Sequence, residues 1–147
     1  MAREWTNYKT KAGSDIGRKA VQVWICRGCE AWHDTKHPGA CQYCGRMDFD
    51  AFPSKTEAKD FMRLRMLEKR GKIANLRMQV SFPLLTVHER TGKPVQFAVY
   101  IADYVFDDLM SGQTGVIYDS KGDAISPEAK LKLRCMEMSG RTVKLSL

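Results

Sequence analysis

The sequence predicts a mixed α+β or α/β chain in which a small four-cysteine module precedes one larger core. Four of the five cysteines fall in two close pairs within the first third of the chain, and periodic apolar segments after residue 53 follow the order helix, three strands, helix, strand. A chain of 147 residues is about the length of one domain, so a second module must be small. We expect a basic arm over 1–20, a cysteine ribbon over 21–52 and the main core over 53–147.

Charge and composition narrow the class of partner. The formal net charge is +7, which favours a polyanionic partner because each Lys or Arg near a phosphate can release condensed counterions. Nucleic acid is the leading candidate, and an anionic membrane surface is the second. No run approaches the roughly 18 apolar residues of a membrane span, and the first residues carry no stretch of signal-peptide type. We therefore expect a cytoplasmic protein without membrane insertion.

The two cysteine pairs have the spacing of a metal site. Cys26 and Cys29 form one C-x-x-C pair, eleven residues intervene, and Cys41 and Cys44 form the second pair. Each pair can fold as a tight turn that supplies two thiolates, and two such turns complete a closed tetrahedral site. Four thiolates leave no open position, so the metal is expected to be structural. Zinc is favoured over iron on frequency, which makes residues 21–52 a zinc ribbon.

Other residues of the ribbon allow two interpretations each. His33 and His37 could replace a thiolate, although exposed loop histidines are the more ordinary interpretation. Trp24, Trp32 and Tyr43 could form the core of a small module or stack on nucleic-acid bases. A role in the core is the default for all three aromatic residues.

Capping patterns and periodicity predict the elements of the main core. Ser54 and Glu57 form a capping box at the start of a helix over 54–70, and Pro127 begins a second helix that ends near Ser139. Runs of β-branched and aromatic residues predict three strands, and TVKLSL closes the chain as a fourth; the three runs cover residues 76–87, 95–106 and 116–121. Proline at position 83 requires that the first of these strands lie at an edge or contain a bulge.

Three acidic residues and one lysine stand where packing alone would favour other residues. Asp119 and Lys121 share a face of the third strand, and Glu57 shares a helical stripe with two apolar residues. Asp103 shares a face of the second strand with Val95, Phe97, Val99, Ile101 and Val105. Taken singly, Asp119 and Lys121 could form a surface ion pair. Glu57 could only cap its helix, and Asp103 could be a strand end near solvent. Together, two carboxylates on neighbouring strands can bind a divalent cation, and a nearby lysine can orient water for attack on phosphorus.

This arrangement resembles the PD-(D/E)XK nuclease superfamily, whose core is a helix, a three-stranded meander, a helix and a strand. More narrowly, the segments NLRMQVSFPLL, YIADYVF and VIYDSKG are similar to those of a phage-borne endonuclease family within that superfamily. The resemblance covers Phe52 to the C-terminus. It implies a restriction-endonuclease-like core, to which the zinc ribbon is an accessory.

The resemblance implies a Mg2+-dependent or Mn2+-dependent DNA endonuclease, encoded by a phage or prophage, that acts in the bacterial cytoplasm on branched or structured DNA. By matching positions, Asp103 and Asp119 would bind the catalytic metal, Glu57 would assist them, and Lys121 would position the attacking water. Gln79 falls where the narrower family tends to have a glutamine, and it could touch metal or phosphate. Superfamily members that resolve branched DNA are commonly dimers, so a homodimer stays open.

Several alternatives remain at this point. Lys130 and Lys132 could contact phosphate or belong to a solvated helix face. Tyr118 occupies the position of a second acidic residue in the narrower family, and Ala102 stands where the superfamily commonly has proline. The competing interpretation is therefore a catalytically inactive module, in which the zinc ribbon binds DNA or protein on a nuclease-like scaffold. A nuclease that acts on RNA is the third interpretation.

Overall fold

The computed structural model describes residues 21–34, 36–120 and 125–146. The chain divides into two compact units, and the division falls between Arg63 and Leu64. We call the described residues before this point the N-terminal unit and those after it the C-terminal unit. The described residues form a mixed α+β structure with two sheets and two helices. None of their helices is long and apolar enough to cross a membrane.

The N-terminal unit contains a small antiparallel sheet. Its strands are arranged in the order β2-β1-β3, and they are β1 (Val23–Cys26), β2 (Trp32–Asp34) and β3 (Phe49–Phe52). Its apolar interior is small: Val23, Ile25 and Phe52 are buried, and the ring of Phe52 lies 5.1 Å from that of Phe61. So few large apolar residues can supply only part of the stability of a module of this size.

A buried ion pair adds to this small interior. Asp50 on β3 is only 1% exposed, and Arg27 Nε donates to its Oδ1 at 2.6 Å. We expect Arg27→Gln to lower the free energy of unfolding by about 3 kcal/mol, because the change removes a charged hydrogen bond from a buried carboxylate. Chemical denaturation followed by circular dichroism measures the loss. The control is Arg63→Gln, which breaks a pair with Asp60 whose arginine side chain is 57% exposed, and its cost should stay below about 1 kcal/mol.

Helix α1 (Lys55–Lys69) begins and ends where the sequence predicts. Ser54 Oγ accepts a hydrogen bond of 3.1 Å from the backbone N–H of Glu57, which satisfies one of the free donors of the first turn. At the other end, Gly71 has φ 69° and its N–H donates to the carbonyl of Glu68 at 3.0 Å. A residue in this left-handed conformation is the usual end of a helix, and glycine adopts it without steric cost.

The C-terminal unit is built on a four-stranded sheet in the order β4-β5-β6-β7. The first three strands form an antiparallel meander, α2 follows, and β7 then pairs parallel to β6. This is the predicted order of elements. The elements are β4 (Ile73–Val87), β5 (Pro94–Asp108), β6 (Gln113–Ser120), α2 (Pro127–Met138) and β7 (Val143–Ser146).

Strand β4 is an irregular edge strand. Its register against β5 shifts between Ala74 and Arg77 and again between Leu84 and Leu85. Pro83 is accommodated because β4 lies at the edge of the sheet, as the sequence predicts. Asn75 and Gln79 both have φ 53°, a left-handed conformation that is uncommon for residues other than glycine.

The core of the C-terminal unit lies between the sheet and α2, and it consists of Leu84, Tyr100, Ala102, Val105, Ile117 and Met136. The burial of side chains along β5 does not follow the strict alternation of faces that the sequence predicts. Val95 is 42% and Phe97 is 54% exposed, whereas Tyr100 and Ala102 are buried. The reason is the core that includes Met136 of α2: Tyr100 and Ala102 belong to it, whereas Val95 and Phe97 do not. In the described part of the chain, the outer half of β5 pairs with β4 alone.

Candidate functional site

Three adjacent strands bring polar side chains to the same level of the large sheet. The pairing of Tyr104 with Tyr118 places Asp103 of β5 opposite Asp119 of β6, one step further along the ladder. The register between β4 and β5 places Gln79 opposite Asp103. We call these three residues (Gln79, Asp103 and Asp119) the acidic cluster. The structure therefore brings together three of the residues that the sequence selects.

Hydrogen bonds hold the two carboxylates of the cluster to the neighbouring strands. The backbone N–H of Asp103 donates to Asp119 Oδ1 at 3.1 Å, and the backbone N–H of Ser120 donates to Asp103 Oδ2 at 2.9 Å. Gln79 Nε2 donates to Asp103 Oδ1 at 3.3 Å. Each aspartate thus accepts a hydrogen bond from the backbone of the strand opposite. These bonds fix the orientation of both carboxylates.

Asp119 is the more enclosed of the two carboxylates. It is 1% exposed, whereas Asp103 is half-buried. The hydroxyl of Tyr100, itself buried, donates to Asp119 Oδ2. Burial, the hydrogen bond to Asp119 and the negative charges of Asp119 and Asp103 raise the pKa of Tyr100 far above its usual value. The tyrosine therefore remains a proton donor to the carboxylate throughout the physiological pH range.

Tyr100 is the residue of this site that sequence reasoning missed. A tyrosine within an apolar strand is usually a packing residue, and alternation places position 100 on the face opposite to Asp103. The signal that could have found it is its place in the segment YIADY, three residues before Asp103. A tyrosine side chain at that position is long enough to reach a carboxylate on the next strand.

The backbone of Gln79 is held in an uncommon conformation. Its φ of 53° lies in the left-handed region, which a long side chain adopts at a cost of about 1–2 kcal/mol. The side-chain amide of the same residue donates to Asp103 Oδ1. Asn75 of the same strand has the same φ of 53°, so this conformation occurs at two positions of β4.

The structure gives a different account of each remaining residue that the sequence selects. Glu57 is in the first turn of α1, in the N-terminal unit. Lys121 falls outside the described residues, as does the predicted basic arm over 1–20. On α2, Lys130 is exposed and Lys132 forms an ion pair of 3.1 Å with Glu128.

The four cysteines of the ribbon come together as a second candidate site. Cys26 Sγ lies 3.4 Å from Cys44 Sγ, and Cys29 Sγ lies 3.5 Å from Cys41 Sγ. All four sulfur atoms lie within 4.8 Å of one another. Tetrahedral coordination with Zn–S bonds of about 2.3 Å requires sulfur atoms about 3.8 Å apart. The four cysteines can therefore hold a metal ion such as zinc.

The two cysteine turns have the same backbone geometry. The carbonyl of Cys26 accepts from the N–H of Glu30 at 2.9 Å, and the carbonyl of Cys41 accepts from the N–H of Gly45 at 2.8 Å. Glu30 and Gly45 both have positive φ, 62° and 74°. Each turn folds back after its second cysteine in this way, so the sulfur atoms of both pairs converge.

Hydrogen bonds to sulfur prepare the cluster for metal. The backbone N–H of Gly28 donates to Cys26 Sγ at 3.3 Å. Burial raises the pKa of Cys41, but hydrogen bonds from the backbone N–H groups of Tyr43 and Cys44 outweigh it and lower the pKa to about 6. A hydrogen bond from the backbone of Ala31 lowers the pKa of Cys29, but burial and hydrogen bonds with the other three sulfur atoms outweigh it and raise the pKa to about 12. Metal ligation requires the thiolate, so Cys41 is the member of the cluster that the fold favours in this form.

The histidines and aromatic residues of the ribbon are distributed around the cluster. The four-ligand group of the ribbon consists of Cys26, Cys29, Cys41 and Cys44, and neither His33 nor His37 belongs to it. His37 packs against the ring of Trp24 at 4.4 Å, and His33 lies 5.5 Å from the ring of Phe49. Tyr43 is 69% exposed, so the default expectation that it belongs to the core is wrong.

A comparison with protein families assigns the larger part of the chain to a family. No curated protein and no solved structure matches it. A family model described as "Protein of unknown function (DUF1064)" matches residues 45–147, a range that begins directly after the last cysteine of the ribbon and includes the whole acidic cluster. Because the match extends over more than half of its length, the chain belongs to the DUF1064 family.

Proposed function

We propose that this protein is a metal-dependent DNA endonuclease with a PD-(D/E)XK core and an N-terminal zinc ribbon. The observation that carries the proposal is the placement of Asp103 and Asp119 side by side on two strands, each fixed by a hydrogen bond from the backbone of the other strand. The order of helix, meander, helix and strand supports it, because this order is that of the superfamily the sequence resembles.

The acidic cluster has the chemistry that a hard divalent cation requires. Mg2+ binds through oxygen, usually to one or two carboxylates together with water and substrate phosphate. Asp103 and Asp119 would hold the ion. The side-chain amide nitrogen of Gln79 donates to Asp103, and its side-chain oxygen would be a third metal ligand at the same level of the sheet. When bound, the metal ion would stabilise negative charge on the phosphate and make water a better nucleophile.

The residues of the chain would then perform distinct tasks in phosphodiester hydrolysis. The two aspartates provide a fixed anionic site. Lys121, on the sequence resemblance, would orient the attacking water and offset the charge that develops on phosphorus. The same resemblance gives Glu57 an assisting role, and products with 5′-phosphate and 3′-hydroxyl ends. Lys130 and Lys132 would contact phosphate beside the site of cleavage.

The zinc ribbon would serve DNA binding rather than chemistry. A site of four thiolates is closed, so its zinc would be structural. The net charge of +7 supports a polyanionic substrate. In this arrangement the ribbon and the basic arm bind DNA outside the site of cleavage and provide affinity.

The competing function is a DNA-binding or protein-binding module without catalysis. Tyr118 favours it, because the narrower nuclease family usually has an acidic residue there. In this chain Tyr118 is half-buried, and its ring lies 6.2 Å from that of Tyr104. Strand alternation directs position 118 away from the face of Asp119, so the aromatic residue leaves both carboxylates of the cluster in place.

A substrate panel tests the proposal. The zinc-loaded protein is incubated with linear, nicked, branched and single-stranded DNA and with RNA, in Mg2+ or in Mn2+. We expect cleavage of at least one DNA substrate that chelation of the divalent cation abolishes. Binding that weakens with salt, without cleavage of any substrate, would favour the non-catalytic module. Cleavage confined to RNA would change the substrate class but leave the assignment of the cluster intact.

A further inference from the structure

We propose that Tyr100 is a positioning residue for the metal site, and that its hydroxyl holds the Asp119 carboxylate in the orientation that binds a divalent cation. This inference rests on the proposed function. Neither the sequence pattern nor the resemblance selects Tyr100; the contact between its hydroxyl and Asp119 Oδ2 does.

The two oxygens of Asp119 are held by different kinds of donor. Oδ1 accepts from the backbone N–H of Asp103, a bond that belongs to the sheet itself. Oδ2 accepts from the Tyr100 hydroxyl, a group that belongs to a side chain. The first bond fixes one oxygen, and the second fixes the rotation of the carboxylate about its own axis. Removal of the hydroxyl therefore removes an orienting contact without changing the backbone.

Burial makes this second bond strong. Asp119 is 1% exposed and Tyr100 is 4% exposed, so water has little access to replace the hydroxyl. Hydrogen bonds to an ionised group are about twice as strong as neutral ones, and a buried carboxylate depends on them. Groups that orient a metal ligand in this way commonly affect metal affinity by about 10–100-fold.

The ring of Tyr100 has a separate structural task, which the test must leave intact. It belongs to the buried core of the C-terminal unit, together with Leu84 and Ala102. Tyr100→Phe keeps the ring and removes only the oxygen. Tyr104→Phe is the matched control, because it removes a hydroxyl from another buried tyrosine of the same strand.

The experiment measures binding of Mn2+ alone to the zinc-loaded full chain, by titration calorimetry or by the electron paramagnetic resonance signal of free Mn2+. We expect Tyr100→Phe to weaken Mn2+ binding by about 10–100-fold and Tyr104→Phe to leave it unchanged. Thermal unfolding with and without Mn2+ gives a second readout. A cation that binds only the folded state raises Tm, and this rise should be smaller in Tyr100→Phe even if the variant starts from a lower Tm.

The outcomes separate this inference from the function on which it rests. Equal or tighter Mn2+ binding by Tyr100→Phe overturns the role of Tyr100 while the metal site stands. An equal loss in Tyr104→Phe also overturns it, because the effect would then be general loosening of the core. Asp119→Asn is included in the series: if it binds Mn2+ as the wild type does, the acidic cluster is not the metal site and the proposed function falls together with the inference. If the binding loss holds, raising the Mn2+ concentration should restore DNA cleavage by Tyr100→Phe.

Discussion

Replacement of Asp103 by asparagine is expected to reduce DNA cleavage by roughly 10³-fold or more while the protein remains folded and bound to DNA. The substitution removes one of the two negative charges that would hold the metal, and metal ions contribute several kcal/mol to the stabilisation of such transition states. An amide oxygen can still accept the hydrogen bond from the backbone N–H of Ser120, so the local structure should persist. Initial rates on the preferred substrate of the panel measure the loss.

Asp107→Asn is the matched control for this prediction. Asp107 lies on the same strand, is also half-buried, and has its own partners in Asn75 and the N–H of Gly115. If catalysis depends on the acidic cluster and not on acidic residues of β5 in general, this control should retain activity within a few-fold. An Asp103→Asn variant that cleaves at the wild-type rate would contradict the assignment of the site.

The helices and strands after residue 53 could be predicted because their signals are local. Helix α1 has its N-cap at Ser54 and its glycine stop at Gly71, and both contacts form as expected. The cysteine cluster could be predicted for the same reason, since each C-x-x-C pair determines its own turn. Spacing alone then limits how the two pairs can meet.

Exposure along the sheet could not be predicted because it depends on which part of each strand the core covers. Alternation groups Val95 and Phe97 with Asp103, but the structure exposes both apolar residues because the core that includes Met136 of α2 does not extend to them. The left-handed conformation of Gln79 is equally hidden in the sequence, since glutamine has no preference for it.

The acidic cluster illustrates both cases. Asp103 and Asp119 are conspicuous because a carboxylate in an apolar strand needs a reason. Tyr100 is inconspicuous because tyrosine is common in strands, and only the contact of its hydroxyl with Asp119 distinguishes it from a packing residue. The structure was therefore needed to find Tyr100, whereas Gln79 and the two aspartates could be selected from the sequence.

Removal of the metal is expected to unfold the ribbon, and this is the largest expected effect on stability. We expect about one zinc per chain in protein purified without chelator, because one set of four cysteines forms one site. The free energy of zinc binding in comparable small modules is about 10–16 kcal/mol, and much of it is folding energy. The buried residues of the ribbon strands, such as Val23, Ile25 and Phe52, are too few to replace it.

Cys41→Ser is the variant that tests the metal site directly, because Cys41 is 3% exposed and its thiolate is stabilised by the fold. We expect loss of bound zinc and loss of the near-ultraviolet circular dichroism of Trp24 and Trp32, which both lie in the ribbon. Cys135→Ser is the matched control, since Cys135 lies on α2 and outside the cluster. It should retain zinc and the full signal. A Cys41→Ser protein with unchanged tryptophan signal would show that the ribbon folds without metal, and its stability would then need another source.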